Sequence, residues 1–396
     1  MEGERIVAKD KKEYLFIPGP TPVPPSVLTA MTKPVIGHRS GEFSRLYRSV
    51  VEKMQRVYQT KNDLFVLSNS GTGALEMALA NTINPGEKVL SLVTGHFAQR
   101  FNRIATVLGA DVETLEFPWE GPVDLNVVEK KLEEEDYQAV LVTHNETSTG
   151  VVNDLAGLGR LTAQTDALLL VDAVSSLGGV DIKTDKYHLD MVMTSSQKAL
   201  MLPPGLSAIS VSSKAWERVE KCQERTVYFS LNDYRRLMTK GHTPWTPAVG
   251  LLYGLEAALD MILTEGLEQV FGRHRRLARA VRAGMRALGL GVVAPEECAS
   301  PTVTAVWAPA GVDPDELRRF LREELGIYMA GGKGSLSGRI FRFGHMGYVG
   351  EFDIITGIAA LEMGLARLGR GVRLGAGVAA AQEVLLTRLT EGGIKK

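Results

Sequence analysis

Six short apolar runs, each bounded by turn-forming residues and separated by segments of helical period, constrain this chain more than any other feature of its sequence. They occupy 64–68 (LFVLS), 88–93 (KVLSLV), 139–143 (AVLVT), 167–171 (ALLLV), 191–194 (MVMT) and 208–211 (AISV). A strand with one face in water alternates apolar and polar residues. A continuously apolar strand is buried on both faces, as in a parallel sheet covered by helices. Helical period over 72–81, 97–108, 125–134 and 247–263 supplies those covering layers. The pattern predicts an α/β fold with a mostly parallel sheet over residues 16–265.

Beyond 265 the texture changes. A long basic amphipathic helix is expected at 266–288, β-like runs at 302–307 and 339–343, and further helices at 314–325, 351–368 and 376–389. We read 266–396 as a smaller α+β domain, with residues 1–15 packing nearby; 396 residues exceed what one hydrophobic core usually serves. The Pro-rich segment at 17–25 (IPGPTPVPP) can be neither helix nor central strand.

Charge and composition narrow the function. Lys plus Arg number 45 against 46 Asp plus Glu, a net charge of -1, so no nucleic-acid partner is expected. The arginine-rich 273–282 (RHRRLARAVR) reads as a solvated helix face. The longest apolar stretches are too short to span a bilayer, and the charged start MEGERIVAKDKKEY has no signal pattern. Two cysteines, Cys222 and Cys298, are too few for a disulfide framework or metal cage, and the seven histidines lack metal-ligand spacing. A cytoplasmic protein without a membrane partner or a metal is expected.

In open α/β sheets ligands sit beyond the carboxyl ends of the strands, so the residues just after each apolar run are the candidates for chemistry. Ser70-Gly71-Thr72-Gly73 follows the first run and opens a helical segment. Free N–H groups at a helix start, with two hydroxyls, cradle an anion; the same pattern also makes a plain N-cap turn. The Gly-Lys-Ser/Thr ending of a P-loop is missing, which disfavours nucleotide hydrolysis. Asp172 directly follows 167–171, where a half-desolvated carboxylate needs a cationic partner or serves as a cap or structural ion pair. Lys198 follows 191–194 and precedes the apolar ALMLPPG. Desolvation there would lower the amine's pKa and free it to attack carbonyls; the alternative is an ordinary solvated lysine. Arg342, in RIFRFGHMG, offers a planar two-toothed donor for a carboxylate, with Arg339 as its competitor. Together these groups are what pyridoxal 5′-phosphate (PLP) and an amino acid require. The helix start holds phosphate, the carboxylate keeps the pyridine nitrogen protonated and the lysine carries the cofactor.

The order and spacing of SGTGALE, THNETSTG, LLLVDAVSSLGG, SSQKALMLPPG and FRFGHMG resemble the class V, fold-type I aminotransferases, in the alanine–glyoxylate and serine–pyruvate/serine–glyoxylate branch. The resemblance runs from IPGPTPVPP to about residue 368. It implies a seven-stranded, mostly parallel sheet flanked by helices in a PLP-binding large domain. It also implies Lys198 as the Schiff-base lysine and general base, and Asp172 as partner of the pyridine nitrogen. By the same resemblance Ser70, Gly71, Thr72 and Gln197 form the phosphate cup, Phe97 stacks on the ring and Thr147 stands beside it. Arg342 is implied to bind the substrate carboxylate and Gly19 to line the substrate pocket.

A homodimer follows from the resemblance too, with Thr243 completing the phosphate site from the neighbouring subunit. Lys240 departs from the family there, standing where tyrosine is expected. His38-Arg39 is read as capping a helix or lining the pocket. The implied reaction is a ping-pong transfer of the amino group of alanine or serine to glyoxylate or pyruvate. Other readings of the same scaffold are an aspartate or 2-aminoethylphosphonate transaminase, a cysteine desulfurase or lyase, and a non-catalytic relative. A desulfurase needs a reactive thiol, for which Cys298 is the one candidate; a non-catalytic relative sits poorly with the presence of both Lys198 and Asp172.

Overall fold

The computed structural model describes residues 12–391. Its strands, in chain order, are β1 (Tyr14–Phe16), β2 (Asp63–Leu67), β3 (Lys88–Val93), β4 (Asp111–Glu116), β5 (Ala139–Thr143), β6 (Asn145–Glu146), β7 (Val151–Val152), β8 (Leu168–Asp172), β9 (Met191–Ser195), β10 (Ser207–Val211), β11 (Val303–Trp307), β12 (Ile327–Gly331) and β13 (Ile340–Gly344). All six apolar runs are strands, within a residue or two at each end. They build a seven-stranded sheet of order β2-β10-β9-β8-β5-β3-β4. Only β10 is antiparallel to its neighbours, so β2, β9, β8, β5 and β3 all end at one edge.

The continuous apolar runs resolve into two alternating sets once the sheet forms. Leu64, Val66, Leu90, Leu92, Val140, Val142, Leu169, Val171 and Val192 face one core. Phe65, Leu67, Val89, Leu141, Leu168, Leu170, Met191 and Met193 face the other. Burying an aliphatic side chain this size stabilises by about 1.5–3 kcal/mol, which is why both faces must be covered. The first four helices are α1 (Pro25–Met31), α2 (Gly41–Tyr58), α3 (Gly71–Thr82) and α4 (His96–Val107), of which α3 and α4 reach the site. α2 is amphipathic and capped by Ser40, whose hydroxyl accepts from the Phe43 N–H at 3.1 Å. α3 is buried almost all round, the mark of a helix clamped inside the molecule.

The seventh strand, β4, is not among the apolar runs. It is an edge strand with the sequence DVETLE, its charged residues turned to solvent, so it carries no continuous apolar signal.

A second sheet of order β1-β12-β13-β11 packs its apolar face with the helices Leu267–Ala287, Pro314–Leu325 and Glu351–Arg367. β1 runs parallel to β12, Tyr14 opposite Ile327, so residues just before the Pro-rich segment belong to this smaller sheet. Residues 1–11, expected to pack near it, lie outside the described residues.

The arginine-rich helix Leu267–Ala287 meets the expectation of a solvated face only in part, with Arg275 and Arg279 exposed and the other arginines paired. Arg282 is buried against Glu296, Arg276 pairs with Glu351 and Arg273 with Glu265 at 2.6, 2.6 and 2.8 Å. An arginine stem covers apolar surface well while its head finds an acid, and sequence spacing does not reveal acids brought in from other elements. Among the described residues no helix is long and apolar enough to cross a membrane.

Candidate active site

The strand edge where β2, β9, β8, β5 and β3 end encloses a cavity lined by Ser70, Gly71, Thr72, Phe97, Thr147, Asp172, Gln197 and Lys198, among others. Each arrives by the same device, a strand that stops and a turn that exposes the next residues. β2 leads into Ser70, the N-cap of α3, whose first-turn N–H groups point outward for want of intrahelical partners. The cup is close-packed: a Cβ on Gly71 would meet Val174 Cγ2 at 2.7 Å. Asp172 ends β8, and one of its oxygens accepts the Val174 N–H at 2.9 Å. Burial pushes its carboxyl up to about 6, with the nearby Glu146 adding to the rise. An ionised Asp172 therefore gains from a cation beside it.

Lys198 lies three residues past β9. Burial pulls its amine down to about 8, and the positive charge of Arg342 adds to that. Nζ donates to the Pro18 carbonyl, and the Pro-rich segment is tied to the lysine loop by Thr21, whose N–H reaches Gln197 O at 3.2 Å and whose hydroxyl reaches Lys198 O at 3.0 Å. Gly19 sits over the same side chain with φ +107°, and a Cβ there would come within 2.6 Å of Nζ. Only glycine leaves the amine room.

Arg342 is buried on β13. Nε donates to Gly331 O at 2.8 Å and Nη1 to Thr147 O at 2.9 Å. Burial lowers its pKa to about 10, which leaves it cationic at neutral pH. Arg339, by contrast, is exposed and lies over the Trp307 ring at 5.0 Å. Of the two arginines considered from sequence, only Arg342 is held against a residue of the cavity.

Thr243 stands apart from the cavity of its own chain. Its hydroxyl donates to Trp245 O at 2.7 Å, and its carbonyl accepts from Arg39 at 2.6 Å. Arg39 thus braces the 243–244 segment, while the neighbouring Ser40 does the capping. Lys240 is exposed. Burial pushes the Cys298 thiol up, the opposite of what a nucleophilic cysteine needs.

Glu146 is the residue that sequence reasoning missed. It is fully buried, and one oxygen accepts the Phe97 and Ala98 N–H groups at 3.0 Å each. The other accepts the Ser148 N–H at 3.0 Å and its hydroxyl at 2.6 Å. A carboxylate from the β6–β7 hairpin therefore caps α4, the helix that carries Phe97. No local signal marks such a cap, because donor and acceptor are about fifty residues apart in sequence.

The polar lining fits PLP. Thr143 Oγ1, Asn145 Oδ1, Ser195 Oγ and Gln197 Oε1 are buried, have no hydrogen-bond partner among the described residues and belong to residues that line this cavity. Each such atom costs about 1–3 kcal/mol if left unpaired, so four around one cavity favour a polar occupant.

Comparison with known proteins identifies the family. The family described as aminotransferase class V matches residues 13–346. An uncharacterised aminotransferase of Methanocaldococcus jannaschii is 44% identical over 95% of this chain and 98% of its own. The L-aspartate–glyoxylate aminotransferase of Paracoccus denitrificans is 39% identical over 93% of this chain and 95% of its own. Among solved structures, the ureidoglycine–glyoxylate aminotransferase of Bacillus subtilis superposes with a TM-score of 0.91 at 31% identity, covering 95% of this chain and 99% of that one.

Proposed function

The chain belongs to the class V aminotransferases, and from that membership we propose that it moves the amino group of alanine or serine to glyoxylate or pyruvate, using PLP held in the cavity around Lys198. The observation that carries the reading is the pairing of a desolvated amine and a desolvated carboxylate, Lys198 and Asp172, at the ends of adjacent strands and within one polar cavity.

In this reading the start of α3, with Ser70, Gly71, Thr72 and Gln197, holds the phosphate, and Phe97 and Thr147 flank the ring. Asp172, whose burial makes its charge costly, takes a protonated ring nitrogen as its partner. The cofactor, once bound, supplies an electron sink that makes the α-proton of an amino acid acidic. Arg342 anchors the α-carboxylate, since a buried guanidinium with two of its donors already fixed on backbone carbonyls presents its remaining edge in one orientation. Lys198 Nζ, with its pKa near 8, would take the α-proton and deliver it to the cofactor carbon from the same side, a role that needs an amine able to be neutral near working pH. Gly19 and the Pro18 carbonyl keep that amine in place.

We extend the reading to a homodimer in which Thr243 of a second copy closes the phosphate site. Ser70 is exposed at the cup, and the exposed Tyr228 sits beside it with its hydroxyl on Ser68 O at 3.0 Å, which leaves apolar surface for another chain to cover. Size-exclusion chromatography with light scattering tests this; a monomer that retains full activity would contradict it.

The test of the reaction is an absorption spectrum of purified protein before and after alanine or serine is added without a 2-oxo acid. The visible cofactor band should fade with the donor and return with glyoxylate or pyruvate. A protein that takes up no PLP overturns the reading, along with every role given to Lys198.

A further inference from the structure

We propose that His96 and Lys333 form a second anion subsite beside Arg342, which receives the side-chain carboxylate of an acidic amino donor such as aspartate. The proposal rests on the reading of this cavity as the site of amino transfer and extends its donors beyond alanine and serine.

The geometry brings three elements together at one rim. His96 opens α4, and its N–H donates to Ser148 Oγ at 3.1 Å. The adjacent residue, Thr147, gives its carbonyl to Arg342 Nη1 at 2.9 Å. Nε of the same guanidinium donates at 2.8 Å to the carbonyl of Gly331, which ends β12, and Lys333 lies two residues further on. The loop carrying Lys333 is closely packed at both glycines that flank it. A Cβ on Gly332 would meet Leu336 O at 1.8 Å, and one on Gly334 would meet the Trp119 ring at 2.6 Å. The root of the lysine is therefore fixed while its head stays exposed.

The charges at this rim are unbalanced. Burial holds the His96 imidazole below its ordinary pKa, and the charges of Arg100, Lys333 and Arg342 in its neighbourhood add to the fall. Glu146, whose charge Arg342 feels, already accepts four hydrogen bonds, two on each oxygen. Neither Lys333 nor Arg100 has an ion-pair partner among the described residues; Arg100 instead lies over the Phe97 ring at 4.9 Å. A donor such as alanine brings one carboxylate, which Arg342 takes, and leaves Lys333 unanswered. An acidic donor brings a second, with Lys333 supplying opposite charge and neutral His96 a hydrogen bond. Charge complementarity of this kind sets specificity between substrates of equal backbone chemistry.

The experiment uses the holoenzyme and its Lys333→Ala and His96→Ala variants. kcat/KM is measured for L-aspartate and L-alanine with glyoxylate, and succinate and butyrate are titrated against the cofactor spectrum. Lys333→Ala should lower kcat/KM for aspartate about tenfold while leaving alanine within about twofold, and should weaken succinate but not butyrate by a similar factor. His96→Ala should move the two donors in the same unequal way. Equal losses for both donors, or succinate binding no tighter than butyrate to the unmodified enzyme, overturn the subsite alone. A holoenzyme that transfers from none of aspartate, alanine and serine overturns the proposed donors, and the subsite with them.

Discussion

At the scale of single residues, the site is a set of charges kept in unfavourable surroundings until a ligand relieves them. Lys198 is the clearest case, because its amine is half neutral near pH 8 rather than above 10. Replacing it by alanine should cut turnover by about 10²–10⁴-fold, the range a positioned general base contributes, while the phosphate cup still retains PLP. Stopped-flow measurement of the alanine half-reaction checks this, and a loss of less than about tenfold would move the base to another group. Lys198 and Asp172 were legible from sequence because each stands one to four residues past an apolar run, where a strand must end and its next side chain must meet the ligand face. Arg342 was legible only as one of a pair with Arg339. Burial separates the two, and burial is a property of the packed sheet.

At the scale of elements, the fold holds the site by bracing pieces that are far apart in sequence. Glu146, on the β6–β7 hairpin, fixes the first turn of α4 and so the angle of Phe97. All four of its hydrogen bonds are accepted ones, which a carboxylate can do and an amide cannot. Glu146→Gln should therefore leave donors unpaired, destabilise the protein by about 1–3 kcal/mol and weaken PLP binding by a larger factor than Glu146→Asp does. Thermal melting and cofactor titration by fluorescence quenching measure the two effects; unchanged PLP affinity in Glu146→Gln would confine the residue to structure. Elements buried on both faces were plain in the sequence because hydrophobic burial writes itself as an uninterrupted run. The edge strand β4 and the three-residue β1 were not, since β4 shows water its charges and β1 is too short to carry a period. The cap on α4 and the acids that neutralise 273–282 arise only when distant elements meet.

At the scale of the whole molecule, three buried histidines set its response to acid. His144 and His274 are held down to about 4 and His345 to about 3 by burial, all below the ordinary 6.5. His274 is committed to its neutral form: Nδ1 faces Val270 O at 2.8 Å while Nε2 accepts the Gly347 N–H at 3.0 Å. Groups with depressed folded pKa values bind fewer protons in the native state, so their stabilisation is full above pH 6.5 and fades as pH falls toward 4. Asp172, raised to about 6, works in the opposite sense below that value, as do Glu146 and Asp190, also raised by burial, while Glu296, held down to about 2 by Arg282, adds to the histidines' loss at the acid end. The melting temperature should therefore fall steadily between about pH 6.5 and 4. A melting temperature that rises on acidification would show that the carboxyls dominate.

The pairing of Tyr14 with Ile327 carries a last consequence, for the order in which a ribosome delivers the parts. β1 and the Pro-rich strap emerge early relative to their neighbours, and β1 has no strand to lie against until more than three hundred residues later. Lys198, Asp172 and the strap that Thr21 ties to the lysine loop can be seated by then, but β1 is anchored only when β12 arrives, and Arg342 follows β12. A nascent chain halted before residue 327 would thus own the lysine, the cup and the strap but not the carboxylate anchor, and the substrate side of the site would be completed after the cofactor side.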